Sequence, residues 1–117
     1  SSMTKATAAP ISRIGAGSTM IEALAQPWAS TETPGFYVKQ LFRDEKTGET
    51  TSLMKMDAGA FAPSHSHDQF EEIYVIEGDF YDAEHSYGPG DYIARAIGAA
   101  HEAGSRKGGI VLLIYRG

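Results

Sequence analysis

Beyond Phe36 the chain is cut into short alternating runs by turn chemistry every eight to twelve residues, and this cadence restricts the fold more than any other feature. Phe36–Arg43 alternates, and Asp44-Glu45-Lys46-Thr47-Gly48 supplies a polar turn. Thr50–Met56 alternates again before Asp57-Ala58-Gly59. Glu71–Glu77 is β-branched and aromatic and closes on Gly78; Asp79–Asp82 continues it. Tyr87-Gly88-Pro89-Gly90 reads as a tight turn, with Pro at the fixed-φ position and Gly at the positive-φ one. Tyr92–Ala96 and Gly109–Tyr115 complete a set of six or seven short strands. Such a series predicts an all-β sandwich or barrel, not alternating βα units.

Residues 1–30 read as an N-terminal arm preceding one β domain over 31–117. Thr19 and Glu22 have capping-box spacing, and Met20, Ile21, Leu24 and Ala25 could share an apolar stripe. Pro27 would end such a helix after about two turns. The other reading of this stretch is an irregular arm lying on the main domain.

Composition removes several functions. The formal charge is -5, from 15 acidic against 10 scattered basic residues, and a nucleic-acid partner rewards clustered Lys and Arg. Cysteine is absent, which excludes disulfides, thiolate nucleophiles and Cys-ligated zinc or iron–sulfur sites. The longest unbroken apolar run, Ile110 to Tyr115, is too short to cross a bilayer as a helix. No secretory signal pattern is visible, so a cytoplasmic protein is expected. Any metal chemistry must use His and carboxylate ligands, and there are four histidines.

Three of those histidines and one glutamate have testable spacing. His65 and His67 are two apart, so on a strand both rings share a face. Glu71 lies six positions beyond His65, about 20 Å away if the chain ran straight. A reversal at Asp68-Gln69-Phe70 would return it toward the pair, and His101 follows the turn-prone Gly98. Together they would form a three-His, one-carboxylate site suited to Fe(II), Mn(II), Ni(II), Cu(II) or Zn(II). A six-coordinate ion would keep two positions open. The alternative is an exposed His-x-His and a solvated strand start.

The surrounding spacing bears on that choice. Gly59, five residues, His65-x-His67, three residues, Glu71, six residues, Gly78 resembles the first motif of the cupin superfamily. Gly90, five residues, Ala96-Ile97-Gly98, two residues, His101 resembles most of the second. Trp28, Pro34-Gly35, Phe70-Glu71-Glu72-x-Tyr74-Val75-x-Glu77-Gly78 and Tyr87-Gly88-Pro89-Gly90-Asp91-Tyr92 further resemble the ChrR-like cupin family over residues 26–117. The resemblance implies a jelly-roll β-barrel, one divalent metal ion on His65, His67, Glu71 and His101, and a homodimer. Two scaffold positions depart from the pattern, Ala96 for Pro and Ser105 for Asn. The helical anti-sigma domain of ChrR-type regulators has no counterpart in these residues, so anti-sigma activity is not implied.

Two functions of different class follow from the resemblance. One is a mononuclear non-haem metal dioxygenase acting on a small diketone, hydroxyketone or related molecule, with Glu71 as a possible proton acceptor. The other is a zinc-binding sensor or regulatory module responding to a small-molecule ligand. A metal-free sugar-nucleotide epimerase of the same fold would not require the complete ligand set.

The remaining residues carry paired readings. By period 2, Glu72 faces away from Glu71 and is expected in solvent or in sheet pairing. His85 is expected in an exposed loop. Arg95 is either an anion clamp for substrate or the partner of a surface acid. Tyr74, Tyr92, Phe61 and Met54 either line the pocket or fill the core. Gln69 either reaches a metal-bound group or is an exposed turn amide. Six acids between Glu71 and Glu84, with no intervening Lys or Arg, are expected mostly at alternate solvent-facing positions.

Overall fold

The computed structural model of the protein describes residues 3–117. Its strands are β1 (Met3–Ala6), β2 (Ser18–Ile21), β3 (Ala29–Ser30), β4 (Phe36–Arg43), β5 (Thr50–Met56), β6 (Phe61–His65), β7 (Phe70–Gly78), β8 (Phe80–Tyr81), β9 (Ser86–Tyr87), β10 (Tyr92–Arg95), β11 (His101–Gly104) and β12 (Gly109–Arg116). A six-stranded sheet has the order β10-β7-β12-β5-β4-β3, and a four-stranded sheet the order β6-β11-β8-β9. All pairings within these two sheets are antiparallel, as a jelly-roll barrel requires.

Alternation decides which side chains meet between the sheets. In β7, Ile73 and Val75 point inward, and in β12 Val111 and Leu113 do. They join Phe36, Met56 and Ile93 from the large sheet with Ala62, Phe80 and Ala103 from the small one in a single core. Phe80 is 1% exposed and Val75 and Val111 are fully buried.

The chain changes sheets at Gly78. There φ is +72°, and a Cβ would overlap the Gly108 carbonyl and the Gly109 backbone. The expected continuation through Asp79–Asp82 is therefore not one strand: β7 ends at Gly78 and β8 enters the small sheet. Asp79 anchors this corner, accepting from Ser105 Oγ at 2.8 Å and from the backbone N–H of Arg106 and Lys107. Ser105, at the departure from the family pattern, also accepts from Gly108 N at 2.9 Å and is fully buried.

Among its described residues the arm contains no α-helix. Ser18–Ile21 pairs in parallel with Met3–Ala6, and only Ala23–Ala25 makes a short 3-10 turn. Glu22 reaches across to Lys5 at 2.7 Å and makes no capping hydrogen bond. The arm lies over β4, where Lys39 donates to the Ala23 carbonyl at 2.8 Å and sits 4.5 Å from the Trp28 ring centroid. Ala29–Ser30 pairs with Tyr37–Val38 and so joins the large sheet.

Candidate metal centre

Three imidazoles converge because two strand ends face each other. His65 closes β6, His101 opens β11, and the two are register partners. His67 follows two residues on, and its carbonyl accepts from Gly98 N at 2.8 Å, which ties its loop to the one leading into β11. Ring centroids are separated by 4.9 Å (His65–His67), 4.6 Å (His65–His101) and 5.6 Å (His67–His101). One ring nitrogen from each falls within 4.8 Å of the others.

Backbone carbonyls orient two of the rings. His65 Nδ1 is 2.9 Å from the Pro63 carbonyl, and His101 Nδ1 is 3.2 Å from that of Ala99. A carbonyl oxygen only accepts, so in the neutral rings Nδ1 carries the proton and Nε2 keeps its lone pair. Burial, then the nearby Arg95 charge, holds the His101 pKa below the ordinary histidine value and favours the neutral ligand form.

Glu71 approaches from the opposite sheet. It occupies the inward parity of β7 ahead of Ile73 and Val75 and is 4% exposed. Its Oε1 lies 3.6 Å from His101 Nε2, and its Oε2 lies 4.0 Å from His67 Nε2. Register supplies its neighbours: Arg95 faces it across β10 and Tyr115 across β12. The Tyr115 hydroxyl donates to Oε2 at 2.5 Å and is 3.4 Å from His67 Nε2. Burial, then the Glu71 charge, raises the Tyr115 pKa and keeps its proton in place.

Behind Glu71 runs a buried charge relay. Arg95 Nε is 3.3 Å from Glu71 Oε1, and Arg95 Nη2 donates to Asp82 Oδ2 at 2.9 Å. Asp82 also accepts from Tyr87 Oη and from the backbone N–H of Glu84 and His85. Burial alone would raise the Asp82 pKa; these donors overcome it and hold it at about 2. Burial and the Asp82 charge push Tyr87 up to about 12.

The polar groups lie at one side of a cavity of about 150 Å³ whose wall includes Phe36, Met54, Ile73, Phe80 and Leu113. Met54 lines it and also packs against the core, so both readings open for it hold, whereas Phe61, Tyr74 and Tyr92 are exposed at 45%, 47% and 57%. Tyr74 has the outward parity of β7, and Tyr92 is its register partner. Glu72, also outward, pairs with Arg116 and accepts from Tyr92 Oη. Gln69 donates to the Gly48 carbonyl at 3.2 Å, and His85 is exposed beside Tyr87, both away from the three imidazoles. Arg95 is neither a free clamp nor a surface partner: its side chain is 12% exposed and pairs with two buried acids. The acidic run is correspondingly less solvated than expected, because Glu71, Asp79 and Asp82 all turn into the structure. No sequence motif marks Tyr115, although it continues the inward parity of Val111 and Leu113. Nothing local marked Asp82 as the partner of Arg95.

These residues fit a divalent ion. Three nitrogen donors lie together, two in a fixed tautomer, and Glu71 Oε1 is buried beside them without a hydrogen-bond donor. Arg95 Nε, at 3.3 Å, balances the charge of that oxygen without donating a hydrogen bond to it, so a lone pair on Oε1 stays available to a metal ion.

Comparison with solved structures gives the same architecture. An RmlC-like cupin protein from Ralstonia eutropha JMP134 is 25% identical with a TM-score of 0.70, over 78% of this chain and 63% of that one. The complex of SigE with the anti-sigma ChrR from Rhodobacter sphaeroides gives 21% identity and a TM-score of 0.66, over 76% of this chain and 49% of that one. The polyketide cyclase RemF from Streptomyces resistomycificus gives 20% and 0.71, over 83% and 78%. The chain thus spans less than two thirds of the first two proteins' length. No curated protein matches it. The family described as the ChrR Cupin-like domain matches residues 16–117, and the chain belongs to that family.

Proposed function

We propose that the protein binds one divalent metal ion through His65, His67, His101 and Glu71 and acts on a small oxygenated molecule in the adjoining cavity. The carrying observation is the convergence of three imidazoles with a buried, donorless carboxylate oxygen at an apolar cavity. Bound there, the ion would supply Lewis acidity toward a chelating oxygen pair and, if it is Fe(II), redox access to dioxygen. The protein's own groups have separate tasks. Tyr115 fixes Glu71 Oε2 and leaves Oε1 toward the imidazoles. The apolar wall excludes water from the substrate body.

The reading is a dioxygenase-like enzyme for a diketone, hydroxyketone or related substrate, with iron, manganese, nickel or zinc as the ion. Metal analysis of anaerobically purified protein, followed by oxygen uptake of the Fe(II)-loaded form on diketones and hydroxyacetophenones, tests it. Stoichiometric metal with no uptake on any of them would sink the enzyme reading.

Family membership favours a second reading, a zinc-holding sensor or regulatory module. Zinc as purified, no oxygen chemistry after iron loading, and a ligand-dependent rise in Tm would select it. Under either reading we place the protein in the cytoplasm as a homodimer, with the 1–30 arm contributing to the dimer. Size-exclusion of an arm-deleted form checks the arm, and an unchanged oligomer removes that role. No helix among the described residues is long and apolar enough to cross a membrane.

A further inference from the structure

The cavity beside the imidazoles restricts what can be bound there more narrowly than the proposed function requires. Its volume is about 150 Å³, roughly five times the share of liquid occupied by one water. Drug-sized ligands occupy pockets of about 300–1,000 Å³, so this one admits only a small body. The wall away from the imidazoles is apolar, built from Phe36, Met54, Ile73, Phe80 and Leu113.

Charge narrows the choice further. Among the described residues no Lys or Arg lines the cavity, and Glu71 is the only carboxylate that does. The nearest guanidinium, Arg95, stands behind Glu71 and is already committed to Glu71 and Asp82. A second anionic group carried on the ligand's body would be desolvated against Phe, Met, Ile and Leu with no counter-ion. Thr31 and Thr33 also contribute to the lining, but the Thr31 hydroxyl is bound to the carbonyls of Thr33 and Phe36.

Resting on the metal-site reading, we infer that the ligand is a small chelator with an uncharged apolar body of up to about six carbons, excluding dicarboxylates, phosphates and sugars. The metal-facing oxygens supply its only polar end. Met54 and Leu113 are among the apolar side chains that line the space for the body.

Hydroxamates of graded tail test this directly, because the chelating head is constant. The Co(II)-loaded full chain is titrated with butyrohydroxamate, octanohydroxamate and succinic monohydroxamate, read by the Co(II) visible spectrum and by calorimetry, with metal content measured in parallel. Butyrohydroxamate is expected to bind at least about tenfold more tightly than either of the other two. Met54→Ala is expected to recover octanohydroxamate binding, and the wild-type series decides the matter even if that variant fails to fold. Equal affinity for the succinic and butyric compounds overturns the charge argument, and equal affinity for octanohydroxamate overturns the size argument. A chain that takes up no Co(II) overturns the metal site itself, so the two failures are distinguishable.

Discussion

Asp82→Asn isolates the charge at the far end of the relay while preserving side-chain shape. Asn can still accept from the backbone N–H of Glu84 and His85, so the local turn remains bonded. What disappears is the anionic partner of Arg95 and Tyr87. The folded pKa of about 2 against a reference of 3.8 corresponds to about 2 kcal/mol of native-state stabilisation near neutral pH. Because the folded pKa is depressed, this contribution is complete above the unfolded value and is lost as pH falls through the folded one. The destabilisation caused by the substitution is therefore expected to be about 2 kcal/mol near pH 7, roughly half that at pH 3, and small by pH 2. For a chain of this length that is a Tm difference of roughly 6–10 °C near neutrality. Urea unfolding of the metal-free proteins across this pH range, wherever both remain folded, measures it. A variant as stable as wild type at neutral pH, or a deficit that does not shrink with acid, would refute the assignment of Asp82 as a charged anchor.

Three further outcomes are expected. His65→Ala or His101→Ala abolishes metal retention by elemental analysis while circular dichroism still reports the barrel; loss of the fold would make the histidines structural. Tyr115→Phe leaves Glu71 Oε2 without its donor and destabilises the metal-free protein by about 1–3 kcal/mol in denaturant titration. Gly78→Ala meets the Gly108 backbone at positive φ and costs about 3 kcal/mol or more, whereas Gly59→Ala, at φ +83° but with open space around it, costs about 1 kcal/mol.

Short-range rules carried much of the fold. Period-2 alternation alone separates Glu71, which faces the imidazoles, from Glu72, which pairs outside with Arg116. The strands hardest to read are those whose residues have little intrinsic β preference. Phe61–His65 contains Pro63, which a central strand would not accommodate, yet β6 lies at an edge of the small sheet. His101-Glu102-Ala103-Gly104 has no β-branched residue and becomes a strand only through its neighbours β6 and β8. In the arm, the capping-box spacing of Thr19 and Glu22 loses to strand pairing with Met3–Ala6.

The candidate site shows the same division between local and distant information. The sequence spacing picks out the three imidazoles and Glu71 as candidates, because two superfamily motifs contain those positions. The groups that hold Glu71 come from register: Tyr115 is 44 positions away, and Arg95 is brought opposite by β10. Adding them changes the electrostatics. Arg95 and Asp82 cancel, so Glu71 leaves one buried negative charge beside the three imidazoles. A divalent ion would turn that into one positive charge, which a singly anionic chelating head neutralises. A second anion on the same ligand would then be surplus in a cavity without a lysine or arginine. The charge relay behind Glu71 and the apolar wall before it thus select for the same ligand, one anionic chelating end on a small neutral body.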